Sequence, residues 1–198
     1  MSAINADRSE ETVANANVDD CPKLRHLVNH LESLRAPAPL DELHRLLDPL
    51  DLTRHDIAPF VRFSPDAYTR NRVAASGLFE LLVVCWAPSQ VSHIHDHTGS
   101  ACAFRVIEGA GIETTFDLKH RRFVQPRSAE RLDTGVVCAS EDSDIHQVCN
   151  PSQSQGLITL HIYTPPLQHM NTYELDPHAR DDASRIDDLV QAAAADNA

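Results

Sequence analysis

Residues 93–104 read HIHDHTGSACAF, with histidines at three alternate positions before a short Gly-Ser turn and a cysteine. Alternate side chains of a β-strand point to the same face, so His95 and His97 are predicted to project together and could hold one metal ion. His93 would be a more distant third candidate. Two imidazoles do not complete a metal site, and an H-x-H pattern alone is equally typical of a polar strand end. Any third ligand must come from another part of the chain.

A candidate third ligand lies in GVVCASEDSDIHQVCN, residues 135–150, where His146 falls in a short strand-like run. The chain therefore carries the spacing typical of the two cupin motifs, in the order His95-x-His97, Gly109, Gly135 and His146-x-x-x-Asn150. The glutamate that usually follows the first two histidines is missing, because its positions are Ala101 and Cys102. The pattern indicates a metal site made of histidines alone.

Length and charge limit the classes of protein to consider. The 198 residues suffice for one domain with a hydrophobic core. The 17 Lys and Arg against 29 Asp and Glu give a net charge of -12, which argues against nucleic acid as a partner. There is no targeting segment and no run of about 18 apolar residues, so we expect a soluble, cytoplasmic protein that does not bind membranes.

The apolar pattern changes character near residue 60. Residues 1–20 are polar and are predicted to be disordered, and residues 179–198 are predicted to form a helical or frayed tail. Between them we expect a single domain over 21–178, with a small N-terminal helical cap at 21–60, where apolar residues fall at helical spacing, and a β-barrel at 61–178. The predicted strands are FELLVVCWA, ACAFRVIEG, GIETTFDL, GVVCAS, IHQVCN and GLITLHIYTP. The strand pattern therefore predicts a mainly β fold, a sandwich or barrel, and the resemblance to the cupin motifs implies a cupin-type barrel (jelly roll).

Five cysteines are an odd and widely spaced set without a C-x-x-C pair, so neither a disulfide framework nor a thiolate zinc site is expected. We expect a monomer.

Four separate segments resemble cysteine dioxygenase, the iron-dependent thiol dioxygenase family of the cupin superfamily. They are YTRN at 68–71, CW at 85–86, IHDHTGSAC at 94–102 and LHIYTPP at 160–166. The resemblance spans roughly residues 60–170 in consistent order. It implies an enzyme that binds Fe(2+) through His95, His97 and His146 and adds both atoms of O2 to the thiol of L-cysteine, giving cysteine sulfinic acid.

The resemblance also assigns roles around the metal. Arg70 would pair with the substrate carboxylate, to which a planar guanidinium is well matched, and Tyr68 would lie beside it. From the residues alone, Arg70 would be read as a solvent-facing arginine. Thr159, His161 and Tyr163 fall at alternate positions of one strand and would form a hydrogen-bonded row ending at the metal. A polar outer face is the alternative reading of that row.

Two further features follow from the resemblance. Cys102 aligns with the cysteine that is joined through sulfur to the tyrosine ring matching Tyr163 in animal-type enzymes, so the crosslink is possible here. The tandem Pro165-Pro166 resembles the family's Ser-Pro-Pro, which makes Thr164-Pro165 a candidate for a cis peptide bond.

Alternative functions remain open at this point. A related dioxygenase acting on 3-mercaptopropionate or cysteamine would share the metal site, although such relatives tend to lack arginine at the position of Arg70. A three-histidine zinc site could instead activate water for hydrolysis, or the chain could be a metal-binding cupin without catalysis.

Overall fold

The computed structural model describes residues 4–5, 18–176 and 182–195. Most of the segment predicted to be disordered, and residues 177–181 and 196–198 near the C-terminus, lie outside these ranges. Within them, Ile4–Asn5 forms the short strand β1 and Val18–Asp20 forms a 3₁₀ turn.

Two helices and a 3₁₀ segment precede the long strands. They are α1 (Pro22–Ser33), α2 (Leu40–Leu47) and the 3₁₀ helix Arg54–Phe60. Proline occupies the first turn of α1, where its missing N–H costs no intrahelical hydrogen bond. The helix then buries one apolar stripe, formed by Leu24, Leu27, Val28 and Leu31.

The remaining described strands run through the rest of the chain. Their bounds are β2 (Thr69–Ala75), β3 (Glu80–Trp86), β4 (Ala101–Glu108), β5 (Ala110–His120), β6 (Phe123–Asp133), β7 (Val137–Ser140), β8 (Ile145–Cys149), β9 (Leu157–Thr164), β10 (His169–Met170) and β11 (Glu174–Leu175).

The described strands form two main sheets. One has the order β2-β3-β9-β4-β7, the other β11-β6-β5-β8, and β1 pairs with β10. All these pairings are antiparallel except the parallel pairing of β11 with β6. A shared apolar cluster joins the facing sides of the sheets, with Leu82, Phe104 and Val106 from one and Leu132 and Val148 from the other. The sheets therefore enclose a common interior.

Both faces of the five-stranded sheet are covered. Its inner face meets the second sheet, while its outer residues Leu81, Val83 and Leu160 pack with Leu31 of α1 and Leu43 of α2. This two-sided burial explains why every residue of β9 is buried.

Helix α3 (Asp182–Ala195) packs against β6 and β5, and Ile186 contacts the apolar cluster that includes Val124. None of the helices in the described ranges has both the length and the apolar character needed to cross a membrane.

Three local details concern residues that the sequence singles out. The Thr164-Pro165 peptide is cis, as predicted, and the five cysteines are all free. The motif residue Gly109 has a φ of 86°, and a Cβ there would lie 2.7 Å from the carbonyl oxygen of Gly156, so both backbone conformation and space require glycine.

Candidate metal centre and adjoining cavity

The H-x-H segment does not lie in a regular strand, so that part of the prediction is wrong. His95 and His97 belong to the irregular connection between β3 and β4. His95 nevertheless forms an isolated antiparallel bridge with His146 of β8, in which each backbone N–H donates to the other's carbonyl at 2.9 Å. Residues directly opposite in such a pair have adjacent side chains. This bridge brings the imidazoles of the two chain segments together.

The three imidazoles converge as the sequence predicted. One ring nitrogen from each of His95, His97 and His146 lies within 4.8 Å of the others, and all three residues are buried. The Nε2 atoms of His97 and His146 are 3.2 Å apart. If two nitrogens bind one metal ion at about 2.1 Å, and the N–metal–N angle lies between a right angle and the tetrahedral angle, the nitrogens are about 3.0–3.4 Å apart. The spacing of this pair therefore fits a shared metal ion.

Hydrogen bonds orient two of the rings. The Nδ1 of His95 lies 2.8 Å from the carbonyl oxygen of His93, and the Nδ1 of His146 lies 2.6 Å from Oε1 of Glu113. Because these acceptors hold a proton on Nδ1, each Nε2 is left with a free lone pair for a metal. The Nδ1 of His97 is buried without a partner among the described residues. Glu113 was not identified from the sequence, and no local motif signals it.

The electrostatic environment keeps the imidazoles of His95 and His97 neutral. Burial, followed by the proximity of His146, lowers the pKa of His95 to about 3. Burial also lowers the pKa of His97 well below its ordinary value. Neutral imidazole is the form that binds metals. With no carboxylate among the three candidate ligands, a divalent ion here would keep its full charge and favour anionic ligands.

Asp96, between the two histidines, does not face the candidate metal position. Its carboxylate accepts hydrogen bonds from the Tyr173 hydroxyl at 2.7 Å, from the Asn171 side chain at 2.9 Å and from the Thr98 hydroxyl at 2.7 Å. Burial alone would raise the pKa of Asp96, but these hydrogen bonds outweigh it and lower the pKa. Asp96 thus anchors the loop between β3 and β4.

The predicted polar row on β9 faces the interior, so the alternative of a polar outer face is excluded. His161 Nε2 lies 2.8 Å from Thr159 Oγ1, and His161 Nδ1 lies 3.4 Å from the hydroxyl of Tyr163. The indole N–H of Trp86 donates to Thr159 Oγ1 at 3.1 Å, which adds a fourth member that sequence reasoning missed. Burial lowers the pKa of His161 well below its ordinary value, so the ring is neutral.

Cys102 lies beside the row. It is the direct register partner of Tyr163 across the β4–β9 pair, and its Sγ is 4.0 Å from Nδ1 of His161. Burial raises the pKa of the Cys102 thiol to about 12 and raises that of Tyr163 well above its ordinary value. Both groups are therefore protonated at neutral pH.

Arg70 extends from β2 over Tyr163, with its guanidinium carbon 5.3 Å from the ring centroid. Burial would lower the pKa of Arg70, but attraction to Tyr163, Glu80 and Tyr68 outweighs it and raises the pKa. Tyr68 stacks on Trp86 at a centroid distance of 4.4 Å. Arg70 is therefore an inward-facing, charged residue rather than a solvent-facing one.

One cavity connects these groups. Its empty space, including the part open to solvent, is about 420 Å³. The predicted residues that line it are Tyr68, Arg70, His95, His97, Cys102, His146, His161 and Tyr163. Thr159 lies outside this lining and acts through His161. Met170, from the C-terminal segment, adds a thioether to the wall.

Fold and site together define a cupin-type β-barrel with a three-histidine centre. A protein with a double-stranded β-helix domain from Klebsiella pneumoniae has a similar fold, with a TM-score of 0.51, 17% identity and coverage of 60% of this chain and 88% of that one. The predicted fold class is thus confirmed.

Sequence comparison gives the family. Residues 9–176 match the family described as cysteine dioxygenase type I. The chain is 30% identical to cysteine dioxygenase type 1 of Danio rerio over 83% of this chain and 82% of that one. It is 29% identical to the human protein of the same name over 68% of this chain and 70% of that one. The chain belongs to the cysteine dioxygenase type I family, which confirms the resemblance and the prediction of an enzyme.

Proposed function

We propose that this protein is an iron(II)-dependent dioxygenase that adds both atoms of O2 to the thiol of L-cysteine and yields cysteine sulfinic acid. His95, His97 and His146 would be the protein ligands of the iron. The observation that carries the proposal is the convergence of three buried imidazoles with Arg70 and Tyr163 in one cavity. The activity is assigned to the single domain predicted over residues 21–178.

The ligand set leaves room for the substrate. Iron(II) held by three side chains would keep about three coordination positions free and would supply redox chemistry that no side chain provides. Within the cavity, Arg70 would bind the carboxylate of L-cysteine through charge-assisted hydrogen bonds. Since the guanidinium also lies over the Tyr163 ring, a carboxylate bound to it would lie close to that ring.

Tyr163 would hold a proton close to the reacting thiol. Its pKa is raised by burial, and His161 lies within hydrogen-bonding distance of its oxygen. The Trp86–Thr159–His161 chain fixes the imidazole, and Phe104 stacks on the same ring at a centroid distance of 4.7 Å. The phenol is therefore preorganised as a hydrogen-bond donor, which needs no rearrangement when charge develops nearby.

The aromatic wall limits the access of water. Tyr68 and Trp86 stack beside Arg70, and Val84 and Val148 add apolar surface. A carboxylate bound to Arg70 in this setting experiences less screening than at the surface. Arg70 should therefore contribute strongly to selecting carboxylate-bearing thiols.

The test combines metal analysis with steady-state oxygen uptake on L-cysteine, 3-mercaptopropionate and cysteamine. We expect iron-dependent activity with L-cysteine preferred. Losing one partner of a buried charge pair typically costs about 2–5 kcal/mol, so Arg70→Ala should lower kcat/KM for L-cysteine by about 30-fold to several thousand-fold. Cysteamine has no carboxylate, so we expect its turnover to be poor and to change little.

Arg105→Ala is the matched control. Arg105 lies on β4 and donates to the carbonyl of Asp48 in α2's C-terminal cap, away from the cavity.

A wild-type preference for 3-mercaptopropionate, or normal L-cysteine kcat/KM in Arg70→Ala, would contradict the substrate assignment. Full activity with zinc, or water-dependent hydrolysis without oxygen uptake, would contradict the reaction class. A His146→Ala protein that retained stoichiometric iron and normal turnover would contradict the ligand set.

A further inference from the structure

Glu80, the first residue of β3, lies next to the arginine proposed to bind substrate. Its Oε2 is 3.4 Å from Nη2 of Arg70, and its Oε1 is 3.6 Å from Nε of Arg72. The side chains of Glu80 and Arg70 are only 16% and 15% exposed. One carboxylate is thus shared between two guanidiniums in a mostly buried setting.

Glu80 contacts Arg70 from outside the cavity. Its register partner across β9 is Tyr163, which places both side chains on the inner face of the sheet. Arg70 lines the cavity, whereas Glu80 is absent from its lining among the described residues. Glu80 therefore touches the guanidinium but not the space proposed for the substrate.

The contact between the Glu80 carboxylate and the Arg70 guanidinium has two consequences. The Glu80 carboxylate occupies one edge of Arg70, which leaves the remaining N–H groups for another acceptor. Its negative charge also reduces the positive potential that an incoming carboxylate meets. The first effect depends on hydrogen-bond geometry, while the second depends on charge.

We propose that Glu80 is a specificity-determining residue that reduces the attraction of Arg70 for substrate carboxylates while holding the guanidinium in place. This inference rests on the proposed role of Arg70 in binding the substrate. It implies that the protein balances affinity for thiols with and without a carboxylate through a residue that touches neither.

The two effects are separated by Glu80→Gln. The amide oxygen can still accept a hydrogen bond from Arg70, so the geometry is kept while the negative charge is removed. A unit charge several ångströms away at a partly screened site changes affinity by about tenfold. We expect Glu80→Gln to bind L-cysteine about tenfold more tightly, with no tightening for cysteamine.

The experiment measures anaerobic equilibrium binding of L-cysteine and cysteamine to the iron-loaded protein, together with oxygen uptake, at low and high salt. Because Glu80 and Arg70 are mostly buried, the gain in L-cysteine affinity should persist at high salt, whereas an effect of exposed surface charge would be screened. Glu108→Gln is the matched control, since Glu108 forms an ion pair with Arg54 at 3.0 Å on the exposed side of the molecule. It removes the same net charge and should leave L-cysteine affinity unchanged.

Unchanged or weaker L-cysteine binding in Glu80→Gln, or equal tightening in Glu108→Gln, would overturn the inference. If Glu80→Gln does not fold, Glu80→Asp provides the test, because the shorter side chain withdraws the charge from Arg70. Both effects of Glu80 act only on a substrate carboxylate, so the ratio of L-cysteine to cysteamine affinity in Glu80→Asp should differ from the wild-type ratio, and an unchanged ratio would contradict the role. A wild-type protein that binds L-cysteine without oxidising it would refute the proposed function but leave the Glu80 comparison valid. Binding of neither thiol would refute both.

Discussion

At the scale of single residues, the candidate metal centre depends on groups that do not touch the metal position. Two of its imidazoles are oriented through Nδ1, one by the backbone carbonyl of His93 and one by the carboxylate of Glu113. A charged acceptor both fixes the ring and raises its basicity toward a metal. Glu113 should therefore matter for metal affinity as well as for packing.

Glu113→Gln should weaken metal binding by about 10- to 100-fold, the usual cost of removing such a partner. The measurement is competition between the protein and a chelator for iron(II) under anaerobic conditions. Glu130→Gln serves as the control, because Glu130 lines the polar cavity behind His146 that Glu113 also lines. Equal affinities in Glu113→Gln and the wild type would show that the carboxylate does not orient the ligand.

The pairing of Cys102 with Tyr163 predicts a thioether after aerobic turnover with iron and L-cysteine. The thiol and a ring carbon would each lose one hydrogen, with O2 accepting the two electrons and two protons. Peptide mapping should find the β4 and β9 peptides joined, with a mass lower by two hydrogens than their sum. Only unlinked peptides after extended turnover would refute the crosslink.

The same pair predicts an order of functional effects. Cys102→Gly should retain reduced activity, because the phenol and its hydrogen bonds remain. Tyr163→Phe should lose more, since it removes the hydroxyl that lies next to His161. Oxygen uptake by the two variants under identical iron loading makes the comparison, and the reverse order would be inconsistent with a role for the hydroxyl.

At the scale of elements, the histidine loop is held by the C-terminal segment as well as by its bridge to β8. The backbone N–H of Tyr173 donates to Ile94, and the N–H of Asp96 donates to Asn171. His95 also bridges to Thr172. Together with the Asp96 side-chain hydrogen bonds, these contacts connect residues that precede β4 to residues that follow β9.

Tyr173→Phe tests this connection. It removes a hydrogen bond to a charged acceptor, which typically contributes about 1.5–3 kcal/mol to the free energy of unfolding. We expect a loss of that order in urea denaturation and faster amide hydrogen exchange at residues 94–97. Unchanged exchange in this loop would show that Asp96 is anchored adequately by Asn171 and Thr98 alone.

At the scale of the whole molecule, the buried neutral imidazoles link stability to pH. The folded-state pKa of His161 is well below 6.5, whereas its unfolded-state pKa is close to that value. Above about pH 6.5 the ring is neutral in both states. As the pH falls below that value, only the unfolded state gains the proton. Unfolding therefore becomes easier, by up to about 1.4 kcal/mol per pH unit for this residue.

Urea denaturation of metal-free protein between about pH 6.5 and 4.5 tests this linkage. The free energy of unfolding of the wild type should fall with decreasing pH, and His161→Asn should show a shallower fall. Parallel pH profiles for the two proteins would mean that His161 does not contribute to the acid sensitivity.

Much of the site could be predicted from the sequence because its signals are local. The two-residue spacing of His95 and His97, the alternating row of Thr159, His161 and Tyr163, and the helical stripe in α1 follow directly from the order of residue types. The family resemblance then connected the histidines to His146 and Arg70. Its motifs are short and contiguous, so they are visible without knowledge of the fold.

Strand β6 shows where such local reasoning failed. Its sequence FVQPRSAERLD contains few strongly β-forming residues and includes Pro126, so it was not predicted as a strand. Pairing with β5 nevertheless extends over its length, and Pro126 falls at a register shift where strict pairing is interrupted. Tertiary contact with a neighbouring strand outweighed the local propensity.

The sequence by itself determined the family, the β-rich fold class and most of the residues that line the cavity. Only the tertiary structure decided that Glu113 orients His146, that Arg70 and Arg72 share the Glu80 carboxylate, and that the His95 loop is held outside any regular strand. Such contacts join residues on different strands, and their distances depend on strand order and register. Spacing along the chain specifies which groups share a face, but packing between chain segments specifies which of them meet.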